Sequence, residues 1–584
     1  MAMGRTRTAI AVGFVALASV ALLTAGGASA KHAVVNGKSA VADTYPRSQT
    51  LYTSGTMYGP PVNWNPLAVG SFATGTLGLI YEPLFLYDPL ADKFTPWLAS
   101  AGKWNSSTSY TLTLRSGVKW SDGQPFTAND VVFTINLGKQ AAVPYHSIWS
   151  FLKSVTAVNS TTVNVTFSKP AYQEWNTFLY GSVGGSSPIL PQHIWASVPA
   201  AQVVTDANKN PVGTGAYTVA AADQQKEVLQ KNPTWWGLAA GYTVPGYIVD
   251  LVNGSNNEML GQVLQGSIDL SNNFLPGVSK LIGGIGGYGL QTYFPSAPYM
   301  LSANTAQLVM NLNKAPTNDV KFRQALARAI DVNAVVSVDY SNIVKAANPT
   351  GLLPTWNKYV DQSVVKQYGF SYNPAKAKSM LLAAGYKLKG GYFTEPNGKP
   401  INLSLIVPQG WTDWMEAIQL ISQNAKAAGI KITISFPSYN DLVSKRDSGN
   451  YDLVVNNDQQ LSDSPYTYYY WLFHQPILKS QTFANYARYN NKTAWNLVAQ
   501  LDQEQGGTAA FKSTMSKLET IALKDMPTIP MWYNGAWAQF NTTCWTGWPS
   551  ATGTNHTLPV TWAGYWNMTG VLMLTHLKST GKCT

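Results

Sequence analysis

Apolar residues in this chain follow two different periods, and the period in force at each point decides which element is expected. Tyr110, Leu112 and Leu114 alternate with polar neighbours, as on a half-buried strand. Ser116-Gly117 turns the chain, Val118 and Trp120 resume the pattern, and Asp122-Gly123 turns it again. Thr127 followed by Asp130 resembles a capping box and predicts a helix through Val131, Val132 and Ile135. A second module begins near residue 300, where Phe322, Ala325, Leu326, Ala329 and Ile330 mark one helical face. The chain through Tyr58 reads as an extended leader. No fixed-period repeat is present, which argues against a solenoid or propeller.

Residues 401–465 carry the clearest signal. Ile401, Leu403, Leu405 and Val407 alternate; Trp414, Ala417, Ile418, Ile421 and Ala425 follow helical spacing from an Asp413 cap; Gly429 stops the helix. Ile430, Ile432, Ile434 and Phe436 predict the next strand, so the segment is a βαβ unit with parallel strands. A further helix over Asp441 to Ser448 leads to the apolar strand Leu453 to Val455. In open α/β sheets ligands bind beyond the C-terminal strand ends. Two loops leave those ends here, 408–412 and 456–465, and they supply the leading candidates for ligand contact. The candidates are Trp411, Trp414, Asn456, Asn457, Asp458, Gln459, Gln460, Asp463 and Tyr466, with Trp471 nearby and Trp64 and Asn272 from earlier in the chain. Core packing accounts for any one of the aromatic residues about as well as ligand contact does.

Composition narrows the setting. Arg5 and Arg7, the uncharged stretch Ala9 to Leu23 and Ala28-Ser29-Ala30 together read as a signal peptide over residues 1–30. With no cysteine near that cleavage site, an exported protein without a lipid anchor is expected, periplasmic or extracellular. Only 12% of the 584 residues are charged, so the surface must rely on Asn, Ser, Thr, Gln and Gly. The formal charge of +11 falls to 11 − 2 = +9 once Arg5 and Arg7 are removed. Lys and Arg are scattered, which argues against nucleic acid as a partner. Cys544 and Cys583, the only two cysteines, are expected to form a disulfide in an oxidising compartment. Neither has a histidine or second cysteine at ligand spacing, and no metal site is expected.

Signals for catalysis and cofactors are absent. Gly284 to Gly289 matches GxGxxG, but Gln291-Thr292-Tyr293-Phe294-Pro295 cannot open the helix a dinucleotide fingerprint requires. His32, His146, His193, His474, His556 and His576 are isolated from one another. A glycosidase would need a facing pair of carboxylates, and the spacing of Glu82, Glu174, Glu258 and Asp463 singles out no pair. No catalytic residue and no cofactor is therefore assigned.

The stretches Tyr81 to Pro89 (YEPLFLYDP), Phe94 to Ser100 (FTPWLAS) and Tyr110 to Ile135, with its SDG turn, resemble the signature of the bacterial extracellular solute-binding protein family 5. Val212 to Val219, Gly266 to Asn273, Asp319 to Asp331, Tyr451 to Asn457 and Pro527 to Asn534 resemble later family segments in the same order. The resemblance implies an α/β, type II periplasmic-binding-protein fold: two lobes joined by a hinge, with an extra subdomain in the first. On this chain that gives a first-lobe core of 31–77, 213–299 and 530–584, an extra subdomain of 78–212, and a second lobe of 300–529. It also implies a monomeric receptor that passes an oligopeptide or oligosaccharide to the permease of an ABC importer. Peptide-binding members of the family place an aspartate four residues before the proline of a loop like Asn457 to Pro465; here that position is Leu461. Asp458 or Asp463 could serve instead, but the Asn, Gln and Trp of these loops suit the hydroxyls and ring faces of a sugar better. A secreted glycan-active enzyme, or a sensor on the same scaffold, is the alternative.

Overall fold

The computed structural model describes residues 45–68, 72–140, 143–181, 187–282, 289–457, 461–559 and 568–583. The proposed signal peptide, the GxGxxG match up to Tyr288, and Asp458, Gln459 and Gln460 lie outside them. The segment read as a leader contains a strand, β1 (Thr50–Met57). An antiparallel sheet follows, made of β2 (Ala99–Ser106), β3 (Ser109–Leu114), β4 (Leu152–Asn159) and β5 (Thr162–Phe167) in the order β2-β3-β5-β4. With it go α1 (Ala128–Gln140) and α2 (Tyr172–Leu179). The expected capping box holds α1, because the Thr127 N–H donates to Asp130 Oδ2 at 2.8 Å.

Next come β6 (Tyr217–Ala222), β7 (Lys226–Lys231), β8 (Tyr247–Val252), α3 (Asn256–Leu264), β9 (Leu270–Ser271) and β10 (Leu290–Gln291). The chain then runs through β11 (Ser302–Met310), α4 (Val320–Ala329), β12 (Lys345–Ala346), β13 (Leu403–Ile406), α5 (Thr412–Ala427), β14 (Ile432–Ser435), α6 (Tyr439–Ser448) and β15 (Leu453–Asn456). It closes with α7 (Tyr466–Phe473), α8 (Lys492–Asp502), β16 (Thr528–Gly535) and β17 (Gln539–Asn541). Two large sheets result. The first has the order β10-β17-β9-β1-β8-β7-β6, and the second β12-β16-β11-β15-β13-β14. Each anchors one lobe.

β13 pairs with β14 and with β15 in parallel, as the βαβ pattern requires. The helix between them begins one residue earlier than its expected Asp413 cap. Trp411 takes the cap position and Asp413 falls in the first turn, buried. In the first lobe β1 is central, parallel to β8 on one side and β9 on the other. Its register jumps between Ser54 and Met57, and Gly55 sits in that jump at φ +119°. A Cβ there would lie 2.6 Å from the Asn272 backbone, so only glycine lets the two strands approach.

Most of the tryptophan surplus is packing. Trp97, Trp120, Trp175, Trp235 and Trp532 are fully buried. Glu82, from the YEPLF stretch, accepts from the indole N–H of Trp97 at 2.7 Å, Trp235 at 3.1 Å and Trp236 at 3.0 Å. One carboxylate thereby ties the FTPWLAS stretch to the turn after β7. Cys544 and Cys583 are bonded to each other, as expected, across 39 residues.

The chain passes between sheets twice. It enters the second sheet at β11 and leaves it after β16, and the two crossings are joined where the Ala536 N–H donates to the Leu301 carbonyl at 2.7 Å. Between two lobes anchored on these sheets, a hinge would lie at this pair.

Candidate functional site

The parallel strands of both lobes end at the space between them. β1 leads to Tyr58, β8 to Ser255 at the start of α3, and β9 to Asn272. From the other lobe, β13 leads to the 408–412 loop, β14 to Tyr439 and β15 to Asn457. Two contacts between the lobes stand out among the described residues, beside the Lys358–Asp92 ion pair at 2.6 Å and an apolar cluster that joins Met259, Val263 and Leu275 to the second-lobe core.

At the first, α3 faces α5. The Asn256 N–H donates to the Gly410 carbonyl at 3.3 Å, and its Nδ2 reaches Thr412 Oγ1 at 3.2 Å and Asp413 Oδ1 at 3.3 Å. Burial pushes the Asp413 carboxyl up to about 7, against hydrogen bonds that favour its ionised form. Beside this polar contact stand three rings. Tyr58 stacks on Tyr439 with centroids 5.3 Å apart, and Trp411 lies 5.9 Å from each of them. Trp411 is thus in the region where the sequence pattern puts it, but its neighbours include a ring of the other lobe.

At the second place, α2 of the inserted subdomain packs on α8. The Glu174 N–H donates to Asp502 Oδ1 at 2.8 Å, and Gln173 Nε2 to the Glu504 carbonyl at 2.6 Å. Asp463 is held here too, accepting from Asn176 Nδ2 and from the Tyr180 hydroxyl, each at 3.1 Å. Burial lifts its carboxyl to about 6. Asp463 is therefore engaged by protein donors from the opposing lobe.

The remaining candidates scatter. Trp64 is buried in the first-lobe core and Trp414 in that of the second. Tyr466 packs in a smaller cluster with Leu461, Leu352, Trp356 and Tyr533. These three rings are core residues because their faces are covered by apolar side chains. Asn456 turns to the outer side of the sheet, where Arg446 Nη1 donates to its Oδ1 at 3.1 Å and where Trp471 lines the same shallow recess. Asn457 stands, partly exposed, at the end of β15. Asn272 lies at the hinge and donates through Nδ2 to the Trp537 carbonyl at 2.5 Å. Its Oδ1, that of Asn534 and both polar side-chain atoms of Gln539 are buried without a hydrogen-bond partner among the described residues.

Tyr58, Asn256, Tyr439, Asn534 and Trp537 were not singled out from the sequence. Tyr58 and Tyr439 follow strand ends just as Trp411 does, and that rule would have found them once β1 was recognised. Among the described residues no group of three or more His, Cys, Asp or Glu side chains is gathered as a metal ion needs. No helix among them is long and apolar enough to cross a membrane.

Comparison with known proteins places this geometry. The model of bacterial extracellular solute-binding proteins, family 5 Middle, matches residues 93–479. The mannohexaose-bound periplasmic oligopeptide-binding protein of an oligopeptide ABC transporter from Thermotoga maritima superposes with a TM-score of 0.87 at 40% identity, covering 92% of this chain and 100% of that one. The oligopeptide-binding protein AppA of Bacillus subtilis is 25% identical over 454 residues, 75% of this chain and 78% of AppA. Its nonapeptide complex superposes with a TM-score of 0.72 at 20% identity, covering 91% of this chain and 99% of that one. A probable ABC transporter-binding protein of Deinococcus radiodurans is 25% identical over 413 residues, which span 63% of this chain and 66% of that protein.

Proposed function

The chain belongs to the bacterial extracellular solute-binding proteins of family 5, and we propose that it is the capture component of an ABC importer, closing two lobes on an oligosaccharide for delivery to a membrane permease. The family consists of binding proteins rather than enzymes.

The observation that carries the sugar reading is Leu461. A zwitterionic peptide brings an ammonium whose burial is costly unless a carboxylate meets it. Leu461 stands where peptide-binding relatives are expected to have that carboxylate, and its side chain is buried in an apolar cluster. The Leu461 N–H is tied to the Ala303 carbonyl at 3.0 Å, which fixes the end of the loop against β11. Asp463, the nearest substitute among the described residues, already accepts from Asn176 and Tyr180. Neutral amides at the hinge, with the buried Oδ1 atoms of Asn272 and Asn534, offer what hydroxyls need without charge. The mannohexaose bound by the 40% identical relative supports the same class.

Native mass spectrometry of freshly purified protein is expected to show a retained oligosaccharide. Calorimetry with gluco-, xylo- and manno-oligosaccharides beside a mixed peptide pool checks it in solution. Saturable one-to-one heat from at least one glycan series, without turnover, is the expected result. Tight peptide binding with no heat from any glycan would replace the sugar reading by an oligopeptide one.

A further inference from the structure

The first of the two bridges between the lobes is continuous from the surface to the hinge. At the rim, Tyr58 and Tyr439 are 46% and 40% exposed and stack on each other at an interplanar angle of 17°. Trp411 stacks on Tyr439 at 26° and abuts Trp414 edge-on. Inward from the rings, Asn256 spans to Gly410, Thr412 and Asp413. Gly410 packs beside the start of α3, where a Cβ would be in ordinary contact with Ser255 at 3.6 Å. Asp413 Oδ2 then accepts from the Tyr340 hydroxyl at 3.3 Å, and the Tyr340 ring lies parallel to that of Trp537 in the hinge, with centroids 6.4 Å apart. Rim, polar contact and hinge form one wall.

We propose that this wall is a chain-length stop: Tyr58, Trp411 and Tyr439 shut one side of the cleft, so the protein takes oligomers of bounded length by their end and refuses longer chains. Aromatic rings with centroids about 4.5–7 Å apart are in direct contact. A pyranose or an extended peptide threaded between Tyr58 and Tyr439 would have to hold them about twice as far apart as such contact allows. If the rings part by movement of the lobes rather than by side-chain rotation, the Asn256 hydrogen bonds behind them are lost. A solute too long for the closed space must therefore keep the lobes apart at this edge, and it forfeits the closed-state contacts. The two tyrosines suit this role because they lie at the rim, where replacing a ring removes a barrier rather than a piece of core.

The inference rests on capture between the lobes, and the choice of sugar over peptide does not enter it. Its test is a calorimetric ladder from the dimer through long oligomers to the soluble polymer, run on the wild type, on Tyr58→Ser/Tyr439→Ser and on Tyr58→Phe/Tyr439→Phe. Wild-type affinity is expected to rise with length and then fall by about tenfold or more, roughly 1.4 kcal/mol, beyond a limiting length. The serine pair moves that limit to longer chains, while the phenylalanine pair, which keeps both rings, leaves it in place. Polymer bound as tightly as short oligomers by the wild type, or a limit unmoved in the serine pair, overturns the stop. If no glycan in the ladder binds, the sugar reading fails by itself. The same three proteins are then run on peptides of increasing length, where a shifted limit supports the stop and an unshifted one overturns it.

Discussion

Glu82 is a buried carboxylate whose partners are indoles rather than a cation. Burial lifts its pKa to about 7, against hydrogen bonds from tryptophan N–H groups that favour the charged form. Arg115 adds a remote charge: its guanidinium lies 4.0 Å over the Trp236 ring, and its Nε donates to the Trp97 carbonyl at 2.9 Å. Glu82→Ala would strand three buried donors, each costing about 1–3 kcal/mol when left unpaired. A marked drop in thermal midpoint is expected, with a smaller one for Glu82→Gln, whose remaining oxygen can still accept from Trp97 and Trp235. Equal midpoints for Glu82→Ala and wild type would show that the indoles find other partners. The sequence marked Glu82 as part of a family signature and weighed it as a possible catalytic acid. Its role as a packing hub was not legible there, because the three tryptophans are separated from it by as much as 154 residues. Leu461 shows the reverse. The sequence reading takes it as standing in place of an expected aspartate, and the apolar cluster that receives it is visible only in three dimensions.

Helices and strands with a strong period were legible. The βαβ unit of β13, α5 and β14 and the buried face of α4 follow directly from apolar spacing, because each buries one stripe against a sheet. β1 was missed, since a central strand so rich in Thr, Ser and Tyr carries little hydrophobic contrast. Pairing of α2 with α8 was not legible at all, and it has a consequence for pH. Glu174 and Asp502 meet there, both buried, with Ser147, Lys169, Tyr466 and Tyr470 around them. Desolvation, and for Asp502 also the charge of Glu174, raises both pKa values above those of exposed carboxylates. Asp463 in the same bridge is raised to about 6. Separating the lobes returns these acids to water and to ordinary values, so closing takes up protons. At a pH below the open-state values both forms are protonated and the bridge carries no penalty; as pH rises through the closed-state values, the penalty on closing grows. Ligand affinity is therefore expected to fall as pH rises from about 5 to 8, and Asp502→Asn should flatten that slope while keeping an acceptor for the Glu174 N–H. An identical pH slope in the variant would remove α2 and α8 from the proton balance.

In the proposed capture mechanism closure joins these local features, because each lobe would hold only part of the site. In the proposed site the first lobe would supply Tyr58, Asn256 and Asn272, and the second Trp411, Tyr439 and the end of β15. A ligand touching both binds the closed form more tightly than the open one, and it shifts the population by that difference and no more. Among the described residues only the segments around Leu301 and Ala536 cross between the two large sheets, and a backbone hydrogen bond joins them. Contacts between the lobes that oppose opening include the Asn256 bonds, the three stacked rings, the α2 to α8 packing with Asp463, and the Lys358–Asp92 ion pair. Burial of the rings adds apolar contact that does not depend on pH, whereas the acid-rich bridge is expected to weaken as pH rises. Small-angle scattering should show the radius of gyration falling when the solute identified by calorimetry is added to saturation. Without solute, the radius should be larger at pH 8 than at pH 5, because the acid bridge then favours opening. A radius that responds neither to saturating solute nor to pH would mean that the lobes do not move, and the capture mechanism would have to be abandoned.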